Sequence, residues 1–175
     1  MQYLKLLTVL LCLFQVEGKF QKLNCEVFKT SFGEFKECEI KAVSRSKNLI
    51  NIQYIFKDSL NPSYVQLYFL KRGNGYGWQP FLYNIKFDFC DFLIKRQPFM
   101  ANLIYSYIKS YANFNNTCPQ PGSLVKLTNF DLNVDTLRER FPIEQGEYGL
   151  VVNWFTKNKK MFSINGSILY SDYKV

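Results

Sequence analysis

The sequence contains no histidine among its 175 residues. A Ser-His-Asp triad, a Cys-His catalytic pair and a His-bearing zinc site each need an imidazole, so this chain can build none of them. Two pairs of acidic residues are close in sequence within apolar surroundings, Asp88 with Asp91 and Glu144 with Glu147. We interpret them as solvated surface charges, because charged side chains usually lie on the surface. We therefore expect a protein that is not an enzyme and that needs no metal or other cofactor.

The chain also lacks a hydrophobic run long enough to span a membrane. Its most apolar stretch, residues 6–14, follows Lys5 and precedes Val16, Glu17 and Gly18. That stretch is too short for a membrane span, and its flanks are typical of a secretory signal peptide. We expect residues 1–18 to be a signal peptide and residues 19–175 to form one secreted, extracellular domain without a membrane span.

Four cysteines lie in the expected mature chain, and an even number in an oxidising compartment predicts two disulfides in one of three pairings. Alternating segments around Cys25 and Cys38 flank a short polar turn, which predicts an antiparallel hairpin. A turn centred between residues 31 and 32 places these two cysteines opposite each other, within disulfide reach. Cys90 is then left to pair with Cys118. Two sequons fit the same compartment and predict N-glycosylation, at Asn115 and Asn165.

An unusually aromatic stretch runs from Trp78 to Leu93. After Pro80 it alternates, and one side of the alternation carries Phe81, Tyr83, Ile85, Phe87 and Phe89. A period of two predicts a long β-strand whose two faces have different surroundings. A face of rings either packs an aromatic core or lines a cavity for an apolar ligand.

Between Pro98 and Tyr111 the apolar residues recur at helical spacing. This spacing predicts an amphipathic helix, and Cys90 and Cys118 lie on either side of it in the sequence. This helix would either cover a ligand or plug the open end of a sandwich. Alternating segments elsewhere bring the total to about eight strands, and residues 134–140 read as a short helical turn. The simplest architecture is all-β, a two-sheet antiparallel sandwich with one inserted helix.

Aromatic residues are abundant, with 17 Phe, 12 Tyr and 2 Trp. Rings that line a slot between two sheets can contact an acyl chain or sterol, and each buried methylene contributes ~0.8 kcal/mol. A fully packed aromatic core is the competing interpretation, since rings also fill cores well. The net charge of +8 does not by itself indicate nucleic acid. Anionic lipid head groups, acidic glycans or simple solubility explain it better.

Several motifs resemble an insect-expanded family known as domain of unknown function 1091. They are Leu23-Asn24-Cys25, Asn74-Gly75-Tyr76, Pro80-Phe81-Leu82-Tyr83-Asn84, Phe87-Asp88-Phe89-Cys90, Asn115-Asn116-Thr117-Cys118-Pro119, Phe141-Pro142-Ile143 and Gly146-Glu147-Tyr148. One departure is Gln79, where the family usually has Arg or Lys. The family is similar to the ML lipid-recognition superfamily, which includes the ganglioside activator, Niemann-Pick-type sterol carriers and mite group 2 allergens. The resemblance implies a lipid-holding sandwich, with fly relatives linked to contact chemosensation and pheromone response.

We therefore expect a secreted carrier that holds a lipid or another long apolar molecule between its sheets. The expected lining residues are Phe69, Phe81, Tyr83, Phe87, Tyr148, Val152 and Trp154, and the helix would cover them with Phe99, Leu103 and Tyr107. Lys71 and Arg72 would attract a polar head group. The alternative is an extracellular interaction module that binds a cell-surface receptor or a glycan through its basic surface. Nucleic acid is not an expected partner.

Overall fold

The computed structural model of the chain describes residues 17–45, 47–58, 63–82, 84–113, 117–133, 137 and 143–171. Nine strands and two helices lie in these residues. The strands are β1 Glu17–Val27, β2 Gly33–Ala42, β3 Asn48–Phe56, β4 Ser63–Gly73, β5 Gly77–Pro80, β6 Ile85–Asp88, β7 Leu124–Phe130, β8 Gly146–Thr156 and β9 Lys159–Ser171. The helices are α1 Phe89–Lys95 and α2 Phe99–Ile108.

The strands form two antiparallel sheets. In the large sheet the order is β1-β9-β8-β4, and both β5 and β6 pair with the remaining edge of β4. In the small sheet the order is β2-β3-β7. Buried apolar side chains from both sheets meet in a shared core. The predicted fold class, an all-β two-sheet sandwich, is therefore confirmed.

The predicted hairpin of β1 and β2 is wrong, although the predicted disulfide is present. β1 pairs with β9 and β2 pairs with β3, so the two strands belong to different sheets. Cys25 and Cys38 are bonded with their Cα atoms 6.3 Å apart, and they join the outer strand of one sheet to the outer strand of the other. The alternating pattern determines which face of each strand points inward. An inward-facing cysteine can bond to a cysteine on the opposite sheet as well as to one on a neighbouring strand, so the disulfide forms without the hairpin.

The predicted strand from Trp78 to Leu93 is also wrong, because it is divided into β5, β6 and α1. The side chain of Asp88 accepts a hydrogen bond from the backbone N–H of Asp91 at 2.9 Å and so caps the start of α1. From there Phe89, Phe92 and Leu93 follow helical spacing and are buried on one side of α1. The predicted amphipathic helix is present as α2, while the helical turn at 134–140 lies outside the described residues except for residue 137.

The helices close the side of the sandwich that lies opposite Cys25 and Cys38. The second predicted disulfide, Cys90 to Cys118, is present and ties α1 to the segment that precedes β7. After α2, the side chain of Asn113 donates to the carbonyl of Leu124 and accepts from the N–H of Lys126, each at 2.7 Å. The helical segment is therefore fastened at both ends to the edges of the two sheets.

Aromatic rings from both sheets interlock at one end of the sandwich. Tyr54 on β3 lies 4.2 Å from Phe162 on β9, between ring centroids. Phe35 on β2 contacts the same Phe162 ring edge-on at 5.3 Å, and Phe56 on β3 lies 5.9 Å from Trp154 on β8. These rings belong to the main core cluster. A second, smaller cluster of three buried residues lies at the other end and consists of Phe20, Ile50 and Phe130.

Candidate functional site

The inward-facing side chains between the two core clusters are less buried than those within them. On β8, Val152 is only partly buried, whereas Trp154, two residues along, is buried. On β9, Ile164 is likewise partly buried beside the buried Phe162, and it pairs across the sheet with Val152. Leu150 on β8 continues this partly buried surface. The buried core is thus divided into two clusters, and the apolar side chains in the middle of the large sheet pack against the main cluster while staying only partly buried.

Four of the expected lining residues meet in or against the main core cluster. Trp154 lies within the cluster, and Phe69, Phe87 and Val152 pack against it while partly buried. The ring centroid of Trp154 lies 4.5 Å from that of Phe89. The ring centroid of Phe87 lies 5.1 Å from that of Phe92. The structure therefore brings these four residues together on the inner face of the large sheet and its helical edge.

Two further expected residues, Phe81 and Tyr148, lie together near the start of β8, and the N–H of Phe81 donates to the carbonyl of Phe69 at 2.9 Å. The ring of Phe81 meets the ring of Tyr148 edge-on at 5.1 Å. Tyr148 is buried and donates its hydroxyl hydrogen to the carbonyl of Glu144 at 2.7 Å, while Phe81 is 37% exposed. Tyr83 lies outside the described residues.

The side of α2 that faces the sandwich differs from the expected one. Five residues of α2 pack against the two clusters, namely Met100, Ala101, Ile104, Tyr105 and Ile108. Phe99 lies on the outside of the helix and is 69% exposed, and Leu103 and Tyr107, at four-residue spacing from it, are partly buried. Both sides of α2 are apolar at helical spacing, so the sequence pattern alone did not indicate which side would face the core.

A polar cavity of about 710 Å³ lies at the turn between β4 and β5. Lys71 forms an ion pair with Glu144 at 2.6 Å, and Arg72 forms one with Glu147 at 2.7 Å. The hydrogen bond from each basic side chain holds the pKa of its partner carboxyl below the usual range. Each of these cations is therefore already matched by a carboxylate. A smaller cavity of about 180 Å³ is lined by side chains of β4, β6 and β8, and neither cavity lies between the sheets.

Two buried polar atoms in the main cluster have no hydrogen-bond partner among the described residues. They are the hydroxyl of Tyr54 and the indole N–H of Trp154. Burial raises the pKa of the Tyr54 hydroxyl well above its usual value. Buried donors normally find an acceptor, so the Trp154 N–H offers an unused hydrogen bond inside an otherwise apolar region.

The remaining site predictions concern the surface. Asn165 lies on β9 opposite Asn24 and Val151, is partly buried, and accepts a hydrogen bond from the hydroxyl of Ser163 at 3.3 Å. Asn115 lies outside the described residues. Among the residues described, no group of three His, Cys, Asp or Glu side chains could hold a metal ion. No helix in the described part of the chain is long and apolar enough to cross a membrane.

Residues 65–150 match the model of a family described as "Protein of unknown function (DUF1091)". This match supports the family that the motifs predicted. The stretch matched to DUF1091 begins in β4, includes both helices and ends in β8, so it contains Phe69, Phe81, Phe87 and Tyr148 of the expected lining. A search of curated proteins found no match to the chain.

Proposed function

We propose that this protein is a secreted carrier that binds a lipid or another long apolar molecule between its two sheets. The observation that carries the proposal is the divided core. Val152, Ile164 and Leu150 point inward from the large sheet and yet stay partly exposed between two buried clusters. An apolar chain placed along these side chains would complete the burial that the protein alone does not achieve.

The ring-filled end of the sandwich leaves α2 as the route of entry. Phe35 and Tyr54 interlock with Phe162 across the sheets, so a ligand cannot enter there without separating several ring contacts. α2 contacts both clusters. The segment around it is held by the Cys90–Cys118 disulfide and by hydrogen bonds between the side chain of Asn113 and the backbone of β7. A small outward movement of this helix would expose the partly buried middle of the large sheet.

Apolar burial would supply most of the binding free energy. A chain of about twelve methylenes contributes roughly 10 kcal/mol on burial. The loss of translational and rotational freedom on association offsets about 4 kcal/mol or more of that. The N–H of Trp154 could donate to a carbonyl or hydroxyl oxygen of the ligand, which would satisfy a buried donor that has no partner among the described residues.

The resemblance to lipid-recognition proteins supports the same proposal. Similarity to the ML superfamily would make the sandwich a lipid-holding one, and an insect origin would agree with a role in chemosensation or pheromone response. Two disulfides are typical of proteins folded in an oxidising compartment, which agrees with secretion and with glycans at Asn115 and Asn165.

Native mass spectrometry of the secreted protein, followed by organic extraction, tests the proposal. We expect a bound apolar molecule that is lost on extraction, and uptake of a fluorescent fatty acid by the emptied protein. Trp154→Phe keeps a large ring but removes the N–H, so it should weaken binding of the fatty acid more than binding of the matching hydrocarbon. A ligand-free protein that takes up no fatty acid would contradict the proposal.

The polar cavity favours one alternative function, an extracellular module that binds a glycan. Phe81, which lines the cavity, is 37% exposed, and Trp78, which is 38% exposed, directly precedes the lining residue Gln79. The charges of the cavity are paired, which suits a neutral oligosaccharide better than an ion. The chain has only two tryptophans, and Trp154 is buried. Fluorescence quenching by neutral oligosaccharides that disappears in Trp78→Phe would support this alternative, and unchanged fluorescence would argue against it.

A further inference from the structure

A row of aromatic and basic side chains crosses the large sheet near the turn between β8 and β9. Tyr64 on β4 is paired with Phe155 on β8, and Phe155 is paired with Lys160 on β9. The ammonium of Lys86 on β6 lies over the ring of Tyr64, 5.0 Å from its centroid. The ammonium of Lys160 lies 4.3 Å from the ring centroid of Phe28, which follows β1. The two central rings are therefore flanked by a cation on each side.

The smaller cavity, of about 180 Å³, lies within this row. Its lining consists of Tyr64, Gln66, Lys86, Phe155 and Asn158. Val65, Leu67 and Trp154 alternate with these residues along β4 and β8 and belong to the core, so the cavity lies on the outer face of the large sheet. Pockets that enclose a whole small molecule start at ~300 Å³, so this cavity accommodates one ring-sized part of a larger ligand.

The cations of this row are not matched by carboxylates. Lys157 lies in the turn beside the cavity and Lys159 begins β9. Among the described residues, no carboxylate lies within ion-pair distance of these two lysines, of Lys86 or of Lys160. Asp88, two residues from Lys86, caps the start of α1. This part of the outer face therefore attracts an anionic ligand.

Two neutral amide side chains complete the cavity, those of Gln66 and Asn158. Neither amide forms a hydrogen bond to another residue in the described part of the chain. Each offers two N–H donors and one carbonyl acceptor, which are suited to hydroxyl groups. An acidic sugar carries the matching groups. One face of its ring can stack on an aromatic side chain, its hydroxyls can bond to amides, and its carboxylate can pair with an ammonium.

We propose that this cavity binds one acidic sugar residue of an oligosaccharide. The sugar ring would lie against Tyr64 and Phe155, its carboxylate would pair with Lys86, and its hydroxyls would bond to the two amides. Lys160 and the lysines of the adjoining turn would contact acidic groups of the neighbouring sugar residues.

This site is separate from both functions proposed above. It lies on the opposite face of the large sheet from Val152, where the carrier function places an apolar ligand. It is also distant from the polar cavity. Tyr64 lines the smaller cavity and Arg72 lines the polar one, and these two residues are eight positions apart on β4, or ~26 Å along the strand.

An acidic oligosaccharide fits this surface better than a nucleic acid or an anionic bilayer does. A single-stranded nucleic acid needs a groove in which several successive bases stack, whereas this cavity holds one ring. All four cations are lysines, while planar recognition of phosphates and bases relies on arginine. The rings of Tyr64 and Phe155 are partly buried in the sheet face, so they cannot insert into a bilayer.

Calorimetric titration with a hyaluronan hexasaccharide tests the proposal, because alternate sugars of this probe carry a carboxylate and none carries a sulfate. Chitohexaose, a neutral oligomer of N-acetylglucosamine, is the uncharged counterpart. We expect the parent protein to bind hyaluronan more tightly than chitohexaose, and to bind it less tightly at high salt. Lys86→Gln should lower the affinity for hyaluronan about fivefold, through the loss of one exposed ion pair, and leave the affinity for chitohexaose unchanged.

Lys41→Gln is the matched control. Lys41 is exposed on β2 of the small sheet, so this variant loses the same charge outside the proposed site. It should bind hyaluronan like the parent protein, and both variants should keep the thermal unfolding midpoint of the parent because both lysines are exposed. Equal binding by Lys86→Gln and the parent would overturn the proposal. An equal loss of affinity in the two variants would also overturn it, since the attraction would then depend only on net charge.

An NMR titration locates the site. The side-chain amide signals of Gln66 and Asn158 should shift on addition of hyaluronan. Shifts confined to Gln79 and Gln145, which line the polar cavity, would contradict the proposal. Single-stranded DNA that binds more tightly than hyaluronan and shifts the same two amides would assign the cavity to nucleic acid instead. Fatty-acid uptake should be unchanged in Lys86→Gln, so failure of the carrier function and failure of this site are distinguishable.

Discussion

Val152→Phe tests whether the middle of the sandwich has room for a ligand. Val152 is partly buried, and its direct neighbour across the sheet, Leu67 on β4, is 5% exposed. If the space beside Val152 is available, the larger ring occupies it and gains up to ~1 kcal/mol from apolar burial. The same enlargement at Leu67 must push into filled core and should cost ~1 to 3 kcal/mol. The free energy of unfolding should therefore rise or stay the same in Val152→Phe and fall in Leu67→Phe, although the two residues are neighbours on one face of the sheet.

The assay is urea denaturation of the parent, Val152→Phe and Leu67→Phe, followed by fatty-acid uptake of each. We expect Val152→Phe to keep or raise the free energy of unfolding and to reduce uptake, because the ring occupies the place of the ligand. Leu67→Phe should lower the free energy of unfolding and bind in proportion to its folded fraction. Equal destabilisation by both changes would show that the middle of the core is already filled, and the reasoning from the divided core would fail.

Three further predictions concern the sandwich itself. Gly33→Ala would place a Cβ 2.3 Å from the carbonyl oxygen of Ile55, so thermal unfolding should show a loss of several kcal/mol. In Gly149→Ala the new Cβ meets the Trp78 ring at 3.1 Å and the Cβ of Leu70 at 3.4 Å, and the change in stability should be less than about 1 kcal/mol because the Trp78 side chain is partly exposed and can shift. Asn48→Ala removes both side-chain hydrogen bonds to the backbone of Phe20, at 3.0 and 2.8 Å, and should cost ~1 to 3 kcal/mol in urea denaturation; no change would mean that water replaces them. The pKa of Glu34 is lowered to about 2 by hydrogen bonds from neighbouring lysines, so its stabilising effect should be present above pH 4.5 and be lost as the pH falls towards 2; an NMR titration midpoint near 4.5 would contradict this.

The sequence predicted the faces of the strands better than their partners. Alternation correctly assigned Cys25 and Cys38 to inward faces. Both predicted disulfides are present, although their pairing was inferred from a hairpin that does not form. The prediction paired β1 with β2 because the two strands are consecutive along the chain. In the structure β1 pairs instead with β9, through ten paired positions. Strand pairing over more than a hundred residues depends on how the whole sheet closes, and local periodicity carries no information about that.

The helices show a second limit of periodicity. The aromatic alternation from Phe81 to Phe89 predicted one continuous strand. In the structure Asp88 caps the start of α1, and from there Phe89, Phe92 and Leu93 lie on one side of a helix. An aspartate three residues before an acidic residue was the available signal. In α2 the position of Phe99 was misjudged for a different reason, since both sides of the helix are apolar. Only the fold determines which side faces the core.

The most direct test of the carrier function is an NMR measurement of contacts between a bound fatty acid and the methyl groups of the protein. With labelled lauric acid, we predict nuclear Overhauser effects from the acyl chain to the methyls of Val152, Leu150 and Ile164, in the middle of the large sheet. Effects confined to residues around the polar cavity at the end of β4, or no effects at all under saturating lauric acid, would contradict the account.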